Sequence, residues 1–441
     1  MSERRILLSL CLMSAAALAP GQSPSPEPLT LQRAVELALE RAPSLAAARS
    51  AREEADARAA LAKDAFHPEA YLTTTPGYTY GFPGLVAGHA PSLAGVEIHQ
   101  TIFDPSRGAE LLRARAGEAA AAGAFERSCR QTVEATVVAY ARAWADRLAT
   151  DAARRRMDAA ESLAKRSASL TQEGRQTELE LERVKLRAAR ARQKLLNAQS
   201  DLDLDQLELK RLIGWPASAA LVLASDPASA LGEAEEPENL TAARSSDPEL
   251  QALEGQIGLL EKSAGYEAKR WLPVIEASLQ YQRLAKFNNY DKYYLTFTPD
   301  SVALGVSIGI PLWTGGRATD SLRGARARLD RAQAERAGRE SDLTIAVQRA
   351  EAAVASAAAE RSLAMRSRGI AEQTLEETRL LLREGRSGTT DLDEREIALA
   401  DAEEEAAKAD LSALQGRASL LALRGELARS MLGTERPCRT P

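Results

Sequence analysis

Val302-Ala303-Leu304-Gly305-Val306-Ser307-Ile308-Gly309-Ile310 places a large apolar side chain at every even position and a small residue at every odd one. Alternation of period two is the pattern of a β-strand. One face of this strand suits lipid and the other a crowded or wet interior, so Val302, Leu304, Val306, Ile308 and Ile310 are the candidate lipid-facing residues. Upstream, Ile275, Ala277, Leu279 and Tyr281 alternate in the same way with Glu276, Ser278, Gln280 and Gln282, and a turn-rich stretch around Asn288-Asn289 lies between the two runs. Together they predict a β-hairpin over about 273–313.

A second window has the same character. Val96, Ile98 and Ile102 alternate with Glu97, His99 and Thr101, Tyr78 and Tyr80 flank Thr79, and Gly81-Phe82-Pro83-Gly84 supplies a turn, which predicts a hairpin over about 68–104. Fifteen of the nineteen aromatic residues fall within 66–103 and 266–313. Hairpins packed on a water-soluble core are the ordinary expectation. Strands of roughly ten residues with aromatics gathered at their ends instead fit a tilted bilayer crossing and its interfacial girdles. Four strands cannot close a barrel, because about eight is the practical minimum and open edges are not tolerated in lipid. The barrel must therefore be shared between chains.

The two windows sit at equivalent places in an internal repeat. Ala42-Pro43-Ser44-Leu45 matches Asp247-Pro248-Glu249-Leu250 and Phe66-His67-Pro68 matches Trp271-Leu272-Pro273, both at an offset of 205. Phe103-Asp104-Pro105-Ser106-Arg107 matches Trp313-Thr314-Gly315-Gly316-Arg317 at 210, and Glu173-Gly174-Arg175 matches Glu384-Gly385-Arg386 at 211. A long supersecondary unit is thus written twice. Between the hairpins the chain is dense in Ala, Leu, Glu, Arg and Gln, the composition of long helices. Leu181, Val184, Ala188, Ala191, Leu195, Ala198 and Leu202 recur at alternating steps of three and four, as do Leu392, Arg395, Leu399, Ala402, Ala406, Ala409 and Ala413. That 3.5-residue period predicts coiled-coil packing. Residues 108–171 contain no proline and predict an unbroken rod of roughly 95 Å, matched by two shorter helices, 44–66 and 177–213, stacked end to end. In the second repeat 317–383 is matched by 249–271 and 388–426 in the same way.

Composition sets further bounds. Arg4 and Arg5 precede an apolar run, Ile6 to Ala19, and a small, polar stretch, so 1–21 reads as a secretory signal cut near Gly21, with Leu10 before Cys11 arguing against lipid attachment. Two repeats, 22–215 and 240–430, are joined by a Pro-, Ala-, Ser- and Glu-rich connection, 216–239, and followed by a polar tail, 431–441. Cys129 and Cys438 are the cysteines left after the signal, and they imply no disulfide framework. A net charge of -5 with interspersed signs argues against nucleic acid. No run of about twenty apolar residues follows the signal, so no membrane-spanning helix is expected. His67, His89 and His99 lack metal-ligand spacing, and neither a phosphate loop nor a nucleophile motif is present. No catalytic residue, metal or cofactor is expected.

These features resemble the TolC family of outer-membrane efflux proteins over essentially the whole mature chain. The resemblance rests on the two xPxL starts, the aromatic-x-Pro approach to each hairpin, the exit Ile310-Pro311-Leu312-Trp313-Thr314-Gly315-Gly316-Arg317, and the glycine turn followed by Thr389-Thr390-Asp391-Leu392. It implies a mainly helical fold with a membrane β-barrel portion, a homotrimer sharing a twelve-stranded barrel above a helical tunnel, and partners in a periplasmic adaptor and an inner-membrane pump. It also implies that Asp391 and Glu394 ring a periplasmic aperture, where three-fold symmetry turns each carboxylate into a cation-favouring ring. The turns at Gly174-Arg175 and Gly385-Arg386 would dock the adaptor. Many family members carry Val-Gly-Leu there, and this chain departs from that apolar pattern.

The implied function is the outer-membrane channel of a tripartite efflux or type I secretion system. A periplasmic adaptor or coiled-coil scaffold is the rival, since it would share the export signal and the rods. It would have no use for two matched hairpins with lipid-suitable faces. The exported substrate is not legible.

Overall fold

The computed structural model describes residues 28–75, 92–224, 226–231, 240–284, 300–433 and 438. The signal segment 1–21, the hairpin tips at 78–84 and 288–289, and His89 lie outside the described residues, as do 225 and 232–239 of the connection and most of the tail.

The first half runs α1 (Leu31–Arg41), α2 (Pro43–Asp64), β1 (Glu69–Thr75), β2 (Ser92–Phe103), α3 (Pro105–Gln172) and α4 (Glu178–Leu212). The short α5 (Pro227–Leu231) and α6 (Leu240–Ser246) lead to the second half: α7 (Pro248–Ala268), β3 (Val274–Leu284), β4 (Asp300–Gly309), α8 (Arg317–Arg383), α9 (Thr389–Arg424) and α10 (Leu427–Leu432). With 68 residues, α3 is a rod of about 100 Å. It starts where the Asp104 carboxylate accepts from the Ser106 N–H at 2.7 Å with Pro105 at the first helical position. It ends at Gly174, whose φ of 73° only glycine adopts freely.

Helix α3 packs against α2 and α4 and also against α7 and α9, and α8 packs against α7 and α9. The order across the layer is therefore α2/α4, α3, α7/α9, α8. Close approach is built in: a Cβ at Gly123 of α3 would stand 2.3 Å from that of Ala252 in α7.

The α4 seam lies where its period places it, with Ala191, Val184 and Ala188 packed against Ala159, Ala160 and Leu163, and Leu195 buried as well. The α9 seam differs. Arg395 is exposed, and the buried residues beside it are Asp393 and Ile397. Because α9 touches both α8 and α3, its buried arc is wider than one coiled-coil stripe.

The largest core forms a waist around α3. Leu31, Val35, Val137, Tyr140, Leu209 and Ile213 meet Leu223 of the connection and Leu427 and Met431 of α10. The fully buried Tyr140 hydroxyl donates to the Leu29 carbonyl at 2.9 Å, and Leu29 pairs with Leu223 in a single parallel bridge. Here the cysteine expectation is corrected. Cys129 and Cys438 are joined by a disulfide whose Cα atoms lie 6.1 Å apart across 309 residues of sequence. Cys129 of α3 and Cys438 pack together beside Ala42, Leu45 and Phe125, a proximity that spacing alone does not reveal.

The strands form one antiparallel sheet in the order β1-β2-β3-β4. Directly paired residues share a face. Leu72, Val96, Tyr281 and Val302 make one row, and Ala70, Ile98, Leu279 and Leu304 the next; Ile275 pairs with Ile308. The other face carries Tyr71, Glu97, Gln280 and Ala303, then Glu69, His99, Ser278 and Gly305. Ile102 leaves the expected alternation, because a register shift between Thr101 and Phe103 sets Phe103 opposite Ile275.

Candidate functional site

Two surfaces stand out: the sheet's apolar face, and the end of the rods farthest from the sheet. On the sheet, Val302, Leu304, Val306, Ile308 and Ile310 are between 62% and 80% exposed. Exposed apolar side chains in an unbroken row have no benefit in water. The opposite face is polar and internally bonded, with Gln280 donating to Glu97 at 2.6 Å and His99 lying 3.6 Å from the same carboxylate.

At the far end each long rod turns through the same motif. The Arg175 N–H donates to the Leu170 carbonyl and the Arg386 N–H to that of Leu381, both at 2.8 Å, around Gly174 and Gly385 at φ 73° and 71°. Arg175 and Arg386 each donate from Nη1 to the glutamate two residues earlier, Glu173 or Glu384, at 3.2 Å. All four side chains are exposed.

The nominated acids just beyond the second turn have different surroundings. Asp391 accepts from the Ser387 hydroxyl at 2.8 Å and the Gly388 N–H at 3.1 Å, closing the first turn of α9. The Ser387 hydrogen bond, then that of Gly388 and the charge of Arg395, hold its carboxyl below the usual range. Glu394 is half exposed and lies 3.8 Å from Arg187 of α4. Among the described residues, no three His, Cys, Asp or Glu form a group able to hold a metal ion.

Asp393, between the nominated residues, escaped the sequence reading. It is 3% exposed and accepts from Arg166 Nε of α3 at 2.9 Å, while Arg166 also donates to the Ser162 hydroxyl at 2.7 Å. Further from the tip, Arg155 pairs with Glu403, and the buried Arg156 with Asp401 and Glu404. On the other side Arg361 of α8 pairs with Asp410 at 2.5 Å and Arg379 with Glu396 at 3.7 Å. Burial pushes the Glu404 carboxyl up, but the Lys408 hydrogen bond and the charges of Lys408, Arg156 and Lys194 outweigh it and leave it below its ordinary value. Residues 389–410 of α9 hold nine carboxylates against two cations, Arg395 and Lys408. Its neighbours supply guanidinium groups. That imbalance was the readable signal for an inter-rod clasp.

The chain matches the family model described as "Outer membrane efflux protein" over residues 34–215 and 239–426. No curated protein matches it. Solved structures resemble it at low identity. The outer membrane protein VceC of Vibrio cholerae is 18% identical with a TM-score of 0.70, covering 89% of this chain and 95% of that one. The Campylobacter jejuni CmeC outer membrane channel is 13% identical with a TM-score of 0.73, covering 90% and 85%. The open state of the Neisseria gonorrhoeae MtrE outer membrane channel is 18% identical with a TM-score of 0.67, covering 90% and 89%.

Proposed function

The chain belongs to the outer membrane efflux protein family, and from that premise we propose that it is the outer-membrane channel of a tripartite efflux system, closed as a homotrimer. The observation that carries this reading is the four-stranded sheet with one apolar face and two unpaired edges, β1 and β4. In lipid each unpaired backbone group costs several kcal/mol, so an open edge must be closed by another strand. The helices repeat the sheet's order, with α2/α4 at one edge and α8 at the other, so a single head-to-tail contact would close both layers at once. Three copies supply twelve strands. The polar face would then line the lumen. An adaptor or scaffold role leaves the apolar face unaccounted for.

In this reading the signal segment 1–21 sends the chain across the inner membrane, and the repeats 22–215 and 240–430 each contribute one hairpin and one rod pair. Leu223 and Leu231 of the connection 216–239 and Met431 of the tail 431–441 belong to the waist core. Asp391 and Glu394 lie at the periplasmic aperture. The turns at Gly174-Arg175 and Gly385-Arg386 meet a periplasmic adaptor, which couples the channel to an inner-membrane pump.

The experiment compares Ile308→Arg with Ser307→Arg in outer-membrane fractions. Arginine on the lipid face near the midplane costs roughly 2 to 4 kcal/mol, while a lumenal arginine stays wet. Ile308→Arg is expected to lose most of its carbonate-resistant membrane yield and Ser307→Arg to keep it. Equal yields would contradict the face assignment and with it the channel.

A further inference from the structure

Between residues 165–185 and 376–396 the two repeats share only Leu170/Leu381, Leu181/Leu392 and the turns Glu173-Gly174-Arg175/Glu384-Gly385-Arg386. Around them the charges have reversed. Lys165, Arg166, Arg183 and Lys185 correspond to Glu376, Glu377, Glu394 and Glu396. The leucines are half-buried, so packing explains them. Positive φ explains the glycines. Neither explains Glu173, Arg175, Glu384 and Arg386, which are 56% to 70% exposed and touch each other in identical 3.2 Å forks. An exposed ion pair contributes roughly 0.2 to 1 kcal/mol. Stability therefore gives little reason for both residues to persist at both tips while their neighbours changed sign.

The chemistry of the fork points outward. Each arginine commits Nη1 to its glutamate, and among the described residues neither Arg175 nor Arg386 has another partner. The Nε and Nη2 donors remain available, in the planar arrangement that accepts a carboxylate through two parallel hydrogen bonds. The glutamate restrains the guanidinium beforehand, which reduces the ordering cost of binding.

We propose that the two forks are one recognition element used twice, and that Arg175 and Arg386 take side-chain carboxylates of a single periplasmic protein partner. This rests on the reading of the turns as adaptor-docking sites. The contact is ionic where an apolar turn would dock by insertion.

The test places a photo-crosslinking residue at Gln172 or at Arg383 of the full chain in its native host, with and without Arg175→Glu and Arg386→Glu together. Both positions are expected to capture the same periplasmic protein, through a peptide containing Asp or Glu. The double reversal is expected to lower the yield at least tenfold, with the thermal midpoint and chain number of the purified variant unchanged. Reversing the partner's contacting acid to Arg should restore capture by the double variant. Capture that survives the double reversal at parental yield, or different proteins captured at the two turns, would overturn the shared ionic element and leave docking at the turns intact. No capture by the parent at either turn would overturn the docking reading as well.

Discussion

Arg166 of α3 donates from Nε to the Asp393 carboxylate of α9 at 2.9 Å, joining the first repeat to the second close to the tip. The acceptor is buried and its partner only part-exposed, so this pair is shielded from the screening that weakens surface pairs. With the Arg155 and Arg156 pairs further from the tip, it fixes α9 against α3.

Replacing Asp393 with Ala leaves a sheltered guanidinium without its acceptor, a loss on the order of 2 kcal/mol. The thermal midpoint should fall clearly below that of Glu394→Ala, which removes only an exposed pair. Single-channel conductance of Asp393→Ala should exceed the parent's, because the tip is less firmly held. Identical midpoints for the two variants would show that the clasp holds nothing.

Much of the architecture was legible because its periodicities are long and uninterrupted. The alternation of 302–310 identified a strand with one apolar face, the 3.5-residue spacing from Leu181 to Leu202 identified a rod seam, and the proline-free 108–171 gave the length of α3. What stayed hidden depends on contacts between distant segments. Asp393 is buried because α9 faces two helices, which widens its buried arc beyond the stripe through Leu392 and Leu399. Leu29 and Leu223 meet across a segment whose composition signalled only a linker. Cys129 and Cys438 pair because Cys438 returns to α3 beside Ala42 and Leu45, and two cysteines far apart in a helical sequence carry no periodic signal of that return.

The proposed aperture role of Asp391 and Glu394 makes a separate prediction. In a symmetric trimer Asp391 and Glu394 would present six carboxylates to one axis, a ring that favours cations. Planar-bilayer recordings should show cation-selective conductance that divalent or trivalent cations block from the periplasmic side. Asp391→Ala with Glu394→Ala should remove most of the block with little effect on trimer stability. A block as tight as the parent's would place the constriction elsewhere.

Asp146 gives the helical layer a pH dependence. Burial, then a hydrogen bond with Asp205 and the charges of Asp205 and Asp201, push its carboxyl up to about 7 against the opposing effect of Arg142. The unfolded chain releases this proton near the ordinary 3.8. Between those values the unfolded state holds fewer protons, so stability falls as pH rises through the window and stays lowered above it. The full shift converts to roughly 4 kcal/mol, and partial exposure reduces it to on the order of 1 kcal/mol. Asp146→Asn should therefore raise the thermal midpoint at pH 8 and flatten its slope between about pH 4 and 7. A slope unchanged from the parent's would assign the pH dependence to other groups.

The shared barrel is tested most directly by the mass of the purified, full-length protein in mild detergent, measured alongside its strand content by circular dichroism. Two open edges predict more than one chain per particle, and the proposed twelve-stranded trimer predicts three, with strand signal lost when the particle dissociates. A dispersed monomer that keeps its full strand content would contradict the account, because its sheet edges would then be satisfied without a second copy.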